Sequence, residues 1–121
     1  MKVIVSVTDN FKSELKPLLK KYPSLSKDLI KLETDLTENP WMGTLIGKNV
    51  YKIRLKISSN RRGKSGGARV ISLVESSIIG IAFNSPAGQI TINLLSIYDK
   101  SEIANISDKE LKTLIKRFII L

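Results

Sequence analysis

Hydrophobic residues in the first third of the chain repeat first with the period of a strand and then with the period of helices. Residues 2–7 place Val3, Val5 and Val7 on one face, which predicts a strand. Apolar residues then recur every three or four positions in 10–22 and again in 25–36, which predicts two helices. Pro17 lies inside the first helix and predicts a kink or a late start there. The short break between the helices favours an antiparallel pair.

The middle of the chain has the pattern of a half-buried strand. Residues 41–49 contain two glycines and are interpreted as a loop. From 51 to 58 apolar residues alternate with Lys52, Arg54 and Lys56, which predicts one apolar face and one cationic face. A shift of one residue would bury all three cations, so this register is well determined.

Further strands and a final helix follow. Strands are predicted at 68–74, 78–83 and 89–98, with a turn at 84–88. The polar residues 75–77 fit either a bulge in one long strand or a separate turn. Ser107 and Glu110 have the spacing of a capping box, which predicts the start of an amphipathic helix. The order of elements predicts one α+β domain over 1–121, with two N-terminal helices packed on one face of a mostly antiparallel twisted sheet and a C-terminal helix.

Composition restricts the chemistry that this chain can perform. The 121 residues are 42% hydrophobic and 26% charged, which is typical of a globular domain. No apolar run approaches the roughly 18 residues of a membrane span, and the first nine residues are too short for a secretory signal, so we expect a cytoplasmic protein without a membrane partner. The chain has no Cys and no His, which excludes disulfides and cysteine nucleophiles and removes the commonest metal ligand. The carboxylates are dispersed, so we expect no metal ion and no other cofactor.

The positive charge is concentrated in one part of the chain. The net charge is +9, and residues 39–74 carry +8 without an acidic residue. The eight cations of this segment are Lys48, Lys52, Arg54, Lys56, Arg61, Arg62, Lys64 and Arg69. Charge of one sign in one segment predicts a polyanionic partner, with a phosphate backbone as the first candidate. The alternative is a solvated face that serves solubility and has no specific partner.

The arrangement of these cations favours a nucleic acid. Lys52, Arg54 and Lys56 would project from one sheet face at intervals of about 7 Å, close to the phosphate spacing of a single strand. The following loop, residues 58–67, adds three cations and three glycines, and Arg69 opens the next strand. If this strand pairs with the strand at 51–58, Arg69 lies near the cations of that strand. The loop lacks the strand, loop and helix spacing of a Walker motif, which argues against nucleoside triphosphates.

Tyr98 and Lys100 form a second cluster where the last predicted strand becomes polar. Tyr98 could stack on a base or exchange a proton, and it could equally be an amphipathic tyrosine at the rim of the core. Without His or clustered carboxylates, a metal-dependent nuclease is disfavoured.

Three motifs in this order resemble the RelE/ParE superfamily of bacterial toxin-antitoxin toxins, in particular its HigB-like branch. They are Tyr51–Lys56, Gly63–Ile71 and Leu94–Glu102, and the similarity extends over 20–25, 39–40 and 106–111. It therefore covers nearly the whole chain. The combination of the three motifs is more specific than any one of them.

The resemblance implies a compact toxin that enters the ribosomal A site, at the 16S RNA, and cuts messenger RNA. It implies an mRNA interferase without metal or cofactor, in which the 2′-hydroxyl attacks the adjacent phosphate, and a cognate antitoxin that neutralises it. The catalytic positions carried over are Lys52, Arg54, Arg69, Tyr98 and Lys100. The cations left for RNA binding are Lys48, Lys56, Arg61, Arg62 and Lys64. Asp99 stands beside Lys100 where the best-studied branch has a second arginine, so the general acid stays open.

Two other functions compete with this prediction. A ParE-like toxin inhibits DNA gyrase without cutting RNA, and the dense cations of the predicted sheet argue against it. A plain RNA-binding module is the second alternative, although only 6% of residues are aromatic, which argues against binding by base stacking. The apolar helix faces or the tail 119–121 are predicted to receive the antitoxin.

Overall fold

A computed structural model describes residues 2–59, 67–79, 87–103 and 105–119. These residues form three helices and five strands, so the predicted α+β class is confirmed. In chain order they are β1 (Lys2–Val7), α1 (Asp9–Lys21), α2 (Leu25–Glu38), β2 (Thr44–Gly47), β3 (Val50–Leu55), β4 (Ala68–Ile79), β5 (Ala87–Asp99) and α3 (Asp108–Ile119).

The described strands form one mixed sheet in the order β1-β5-β4-β3-β2. The pairings of β2 with β3, β3 with β4, and β4 with β5 are antiparallel. The exception is β1, which lies parallel to β5 at one side of the sheet. The first strand of the described chain thus lies beside the last one.

The interpretation of 41–49 as a loop was wrong for its second half, because β2 pairs there with β3. Four residues are too few for an alternating pattern to appear in the sequence. Gly43 has a φ of +102°, and a Cβ atom on it would lie 2.6 Å from the carbonyl oxygen of Lys52. The close approach of this segment to β3 therefore requires a glycine. Asn49, with a φ of 60°, provides the turn between β2 and β3.

The alternative left open at residues 75–77 is decided in favour of one long strand. β4 continues through them to Ile79 and pairs with β5 over its whole length. The irregularity in this pairing lies earlier, between Ile71 and Ser72. Most of the predicted turn and the end of the predicted strand 78–83 lie outside the described residues.

Buried apolar residues form two clusters. The first contains Phe11 and Leu18 of α1, Leu25, Leu32 and Leu36 of α2, and Ile53, Val70, Ile92 and other strand residues. The second contains Val50, Ile71, Leu73, Leu95, Tyr98 and Leu111, with Ile106, Ile115 and Phe118 packed against it. In β3 the alternation is confirmed for Ile53 and Leu55, which are buried, and for Arg54, which is exposed. Tyr51 and Lys52 are both half-buried, and the strand ends at Leu55, three residues before the predicted end.

The helix starts follow from local hydrogen bonds. The Thr8 side chain accepts a hydrogen bond from the amide of Phe11 at 3.1 Å, so α1 begins at Asp9 and the late start at Pro17 was wrong. The amide of Glu110 donates to Ser107 Oγ at 3.1 Å, as the capping box predicted. None of the described helices is long and apolar enough to cross a membrane.

Candidate functional site

Three of the predicted site residues meet across three neighbouring strands. Arg54 of β3 pairs with Arg69 of β4, and Arg69 pairs with Tyr98 of β5. Side chains that are directly opposite in a sheet project to the same face, with Cβ atoms about 5 Å apart. The predicted convergence of the cations is therefore confirmed for Arg54 and Arg69. We refer to Arg54, Arg69 and Tyr98 as the cross-strand row.

The two arginines of this row differ in exposure. Arg54 is exposed, whereas Arg69 is only 4% exposed and donates from Nη1 to the carbonyl oxygen of Ala68 at 3.2 Å. Burial lowers the pKa of Arg69, the charge of Arg54 lowers it further, and Tyr98 acts in the opposite direction. Two like charges on opposed strands repel each other, so the site would be stabilised by a bound anion.

Tyr98 lies in the second apolar cluster and is 5% exposed. Its hydroxyl is buried and has no hydrogen-bond partner of good geometry among the described residues. Burial raises the pKa of Tyr98 above its ordinary value, and Glu110 adds to the rise, while the backbone of Ile106 and the charge of Arg69 oppose it. The phenol is therefore protonated at neutral pH and can act as a donor. A ring buried to this extent offers no free face to a base, so proton exchange fits it better than stacking.

The other cations surround this row. Lys52 pairs with Ile71, two pairs along from Arg54 and Arg69, and its Nζ donates to Asn105 Oδ1 at 3.2 Å, in the segment before α3. Lys56 lies just beyond the end of β3 and is exposed, as is Lys48 after β2. Lys100 follows β5, and its amide donates to the carbonyl oxygen of Gly67 at 3.0 Å. The predicted RNA-binding residues Arg61, Arg62 and Lys64 lie outside the described residues.

A small cavity lies between the end of β3 and α2. Arg54 and Lys56 line it together with Asp28 and Asp35, and its volume is about 100 Å³. Cations at the end of β3 and carboxylates of α2 therefore line the same small cavity.

Sequence reasoning missed the role of Asp99. The alternation that places Tyr98 on one face of β5 places Asp99 on the other, and it is 2% exposed there. Its carboxylate accepts hydrogen bonds from Tyr22 Oη at 2.5 Å and Lys21 Nζ at 3.1 Å, both near the end of α1. It also accepts from the amide and the hydroxyl of Ser101 at 2.9 and 2.7 Å. The period of two was the signal that could have indicated an inward-facing carboxylate.

The pKa of Asp99 reflects these contacts. Burial alone would raise it, but the hydrogen bonds from Tyr22, Ser101 and Lys21 outweigh burial and lower the pKa to about 2. The same bond raises the pKa of the Tyr22 hydroxyl, because an ionised phenol could not donate to the carboxylate. Asp99 is thus ionised under all ordinary conditions.

A second buried aspartate holds the end of the cationic strand. Asp28 of α2 accepts hydrogen bonds from the amide of Ser58 at 3.0 Å, from the Ser58 hydroxyl at 2.5 Å and from the Ser24 hydroxyl at 2.8 Å. Although burial opposes it, these bonds lower the pKa of Asp28. The connection between α1 and α2 therefore contacts the end of β5 through Tyr22 and the segment after β3 through Ser24, which accepts from the amide of Ser59 at 2.8 Å.

The described residues contain no group of three or more carboxylates placed to hold a metal ion. Comparison of the chain with protein-family models, with curated proteins and with solved structures gives no match. The resemblance to the RelE/ParE superfamily therefore stays a prediction carried by the sequence motifs.

Proposed function

We propose that this protein is a ribosome-dependent, metal-independent endoribonuclease that cleaves messenger RNA in the A site. In this proposal it is a cytoplasmic toxin of the HigB-like branch of the RelE/ParE superfamily, neutralised by a cognate antitoxin. The observation that best supports the proposal is the cross-strand row, in which two guanidinium groups and a protonated phenol share one sheet face. Guanidinium groups match the geometry of phosphate oxygens and remain charged at neutral pH.

The row provides two of the things that cleavage by the 2′-hydroxyl requires, positive charge for the transition state and a proton for the leaving group. The 2′-hydroxyl loses its proton to solvent as its oxygen attacks the adjacent phosphorus, the bond from phosphorus to the 5′-oxygen breaks, and the products are a 2′,3′-cyclic phosphate and a 5′-hydroxyl. Negative charge on the non-bridging oxygens grows in the transition state. Arg54 contacts these oxygens, and Arg69 adds positive charge from the neighbouring strand in a poorly solvated position.

The departing 5′-oxygen needs a proton, and Tyr98 is the proposed donor. Its raised pKa keeps the phenol protonated, and its hydroxyl has no hydrogen-bond partner of good geometry among the described residues. Lys52 and Lys100 lie at either side of the row and contribute charge for the RNA.

Burial of the row bears on where cleavage occurs. Arg54 is accessible, whereas Arg69 and Tyr98 are buried, and Ile106 packs against the apolar cluster that contains Tyr98. RNA therefore meets Arg54 first, and contact with Tyr98 requires displacement of the segment before α3. We expect free RNA to be a poor substrate and the ribosomal A site to promote this opening.

Primer extension on messenger RNA tests the proposal, in cells that express the chain and with purified ribosomes. The expected result is cuts within translated codons that disappear in the double variant Arg54→Ala, Arg69→Ala. The matched control is Lys16→Ala, which removes an exposed cation of α1 and should leave the cuts in place. Intact RNA with stalled replication would instead indicate a gyrase inhibitor, and RNA binding without cuts would indicate a binding module.

A further inference from the structure

Asp99 connects two parts of the fold through its two carboxylate oxygens. Oδ2 accepts from Tyr22 and Lys21 near the end of α1. Oδ1 accepts from the amide and the hydroxyl of Ser101, in the turn that follows β5. One buried carboxylate thus holds the turn against the helix.

The hydrogen bonds of the Asp99 carboxylate lie where the pairing of β4 with β5 ends. The pair of Ala68 with Asp99 is the last one between β4 and β5, and just beyond it the amide of Lys100 still donates to the carbonyl oxygen of Gly67 at 3.0 Å. The backbone carbonyl of Asp99 accepts hydrogen bonds from the amides of Glu102 and Ile103, at 3.0 and 2.9 Å. The same residue therefore restrains both the strand end and the start of the segment that leads to Ile106.

Tyr98 precedes Asp99 and projects to the opposite face. A strand cannot rotate about its axis at one residue without rotating at the next, because successive side chains are fixed on opposite faces. Holding the Asp99 carboxylate against α1 therefore sets the direction of the Tyr98 ring toward Arg69.

We propose that Asp99 is a positioning residue, which keeps Tyr98 opposite Arg69 and the turn after β5 in place by anchoring the end of β5 to α1. This inference rests on the proposed function, since it assigns Asp99 a role in the cleavage step without contact to RNA. Loss of the anchor should lower the rate of cleavage more than the binding of RNA, which depends on the cations.

Asp28 offers a matched control for such a role. It is also a buried aspartate with several hydrogen bonds, and it also anchors a strand end to the helices. Ser58, its partner, lies four residues beyond Arg54, whereas Asp99 is adjacent to Tyr98. Loss of either carboxylate should destabilise the fold, but only loss of Asp99 should affect the proton donor.

The experiment compares Asp99→Asn with Asp28→Asn in the full chain, under conditions where urea unfolding shows both variants to be folded. Cleavage of ribosome-bound messenger RNA gives kcat and KM, and hydrogen exchange is followed at the amides of Lys100 and Ser101. For Asp99→Asn we expect kcat to fall about 10- to 100-fold, with KM changed less than about threefold. The two amides should exchange faster in Asp99→Asn alone, and Asp28→Asn should keep kcat within about twofold of wild type.

If Asp99→Asn does not fold, the same measurements are made on Tyr22→Phe and Ser101→Ala, since each of these substitutions removes one hydrogen-bond donor to the Asp99 carboxylate. Each should then lower kcat by less than the full effect and leave KM unchanged.

Equal losses of kcat in the Asp99 and Asp28 variants would overturn the inference, as would unchanged kcat together with faster exchange. Unchanged exchange at Lys100 and Ser101 would overturn it while leaving the proposed function intact. Wild-type protein that leaves ribosome-bound RNA uncut would overturn the proposed function, and Asp99 would then have no cleavage step to support.

Discussion

Arg54 and Arg69 lie directly opposite each other on adjacent antiparallel strands, one exposed and the other buried. Like charges in this arrangement destabilise a sheet, by up to about 1 kcal/mol. This pair therefore lowers the stability of the fold, and a phosphate bound between the two guanidinium groups would offset their repulsion.

Removal of Arg54 should therefore stabilise the protein. Arg54→Ala is expected to raise the free energy of unfolding by about 0.5 kcal/mol at low salt, because Arg69 loses its repelling neighbour. Urea unfolding measures the change, and the gain should shrink as salt screens the repulsion. Lys16→Ala serves as the control for loss of an exposed cation. A destabilised Arg54→Ala at low salt would show that the repulsion is already compensated.

Part of the salt dependence of RNA binding should come from Arg54. For single strands, each phosphate contact contributes about 0.7 to the slope of log affinity against log salt. Arg54→Ala should reduce the slope by about this amount, measured with a 2′-O-methyl oligoribonucleotide that cannot be cleaved. Lys16→Ala should leave the slope unchanged. An identical slope in wild type and Arg54→Ala would place the phosphate contact elsewhere.

Tyr98→Phe should change stability and activity in opposite directions. The substitution removes a buried hydroxyl that lacks a hydrogen-bond partner of good geometry among the described residues, so the free energy of unfolding should rise by about 1 kcal/mol. Cleavage should fall about 100-fold or more because the general acid is gone. Denaturant unfolding and the ribosome assay measure the two effects. Full cleavage by the Phe variant would remove Tyr98 from the proposed mechanism.

Asp99 should make the protein sensitive to acid. Its pKa is lowered from an ordinary value of 3.8 to about 2 in the folded chain, so the charged form contributes stability that is present above pH 4 and is lost as pH falls toward 2. The size of this contribution is about 2 kcal/mol. The free energy of unfolding of wild type, followed by circular dichroism from pH 5 to pH 2, should fall by that much more than in Asp99→Asn. Parallel curves for the two proteins would contradict the lowered pKa.

The glycine before β2 should not tolerate a side chain. Gly43→Ala places a Cβ atom against the backbone of Lys52 at a positive φ, and we expect a loss of about 1 to 3 kcal/mol in the free energy of unfolding. Gly47→Ala is the matched control, because its Cβ would lie 3.6 Å from Val50 Cβ, an ordinary contact. Equal losses in both variants would mean that the close approach at Gly43 is not what limits this position.

Much of this fold was predictable because its patterns are local. The alternation of β3 predicted that Ile53 and Leu55 are buried and Arg54 exposed, and the helical spacing located α1 and α2 within one or two residues. β2 was missed because a short strand at the sheet edge has no period to detect. The parallel contact of β1 with β5 was missed because strands so far apart in the chain carry no local signal of their pairing.

For the candidate site, the sequence alone determined that the positive charge lies in one segment and that Lys52, Arg54 and Lys56 alternate with apolar residues. The tertiary structure decided that Arg54, Arg69 and Tyr98 share a row, and that Arg69 and Tyr98 are buried in it. It also decided that Asp99 meets Tyr22, which lies 77 positions earlier in the chain. The physical reason is that alternation fixes the face of a side chain within its own strand, whereas its partners depend on the register between strands and on the helix packed behind them.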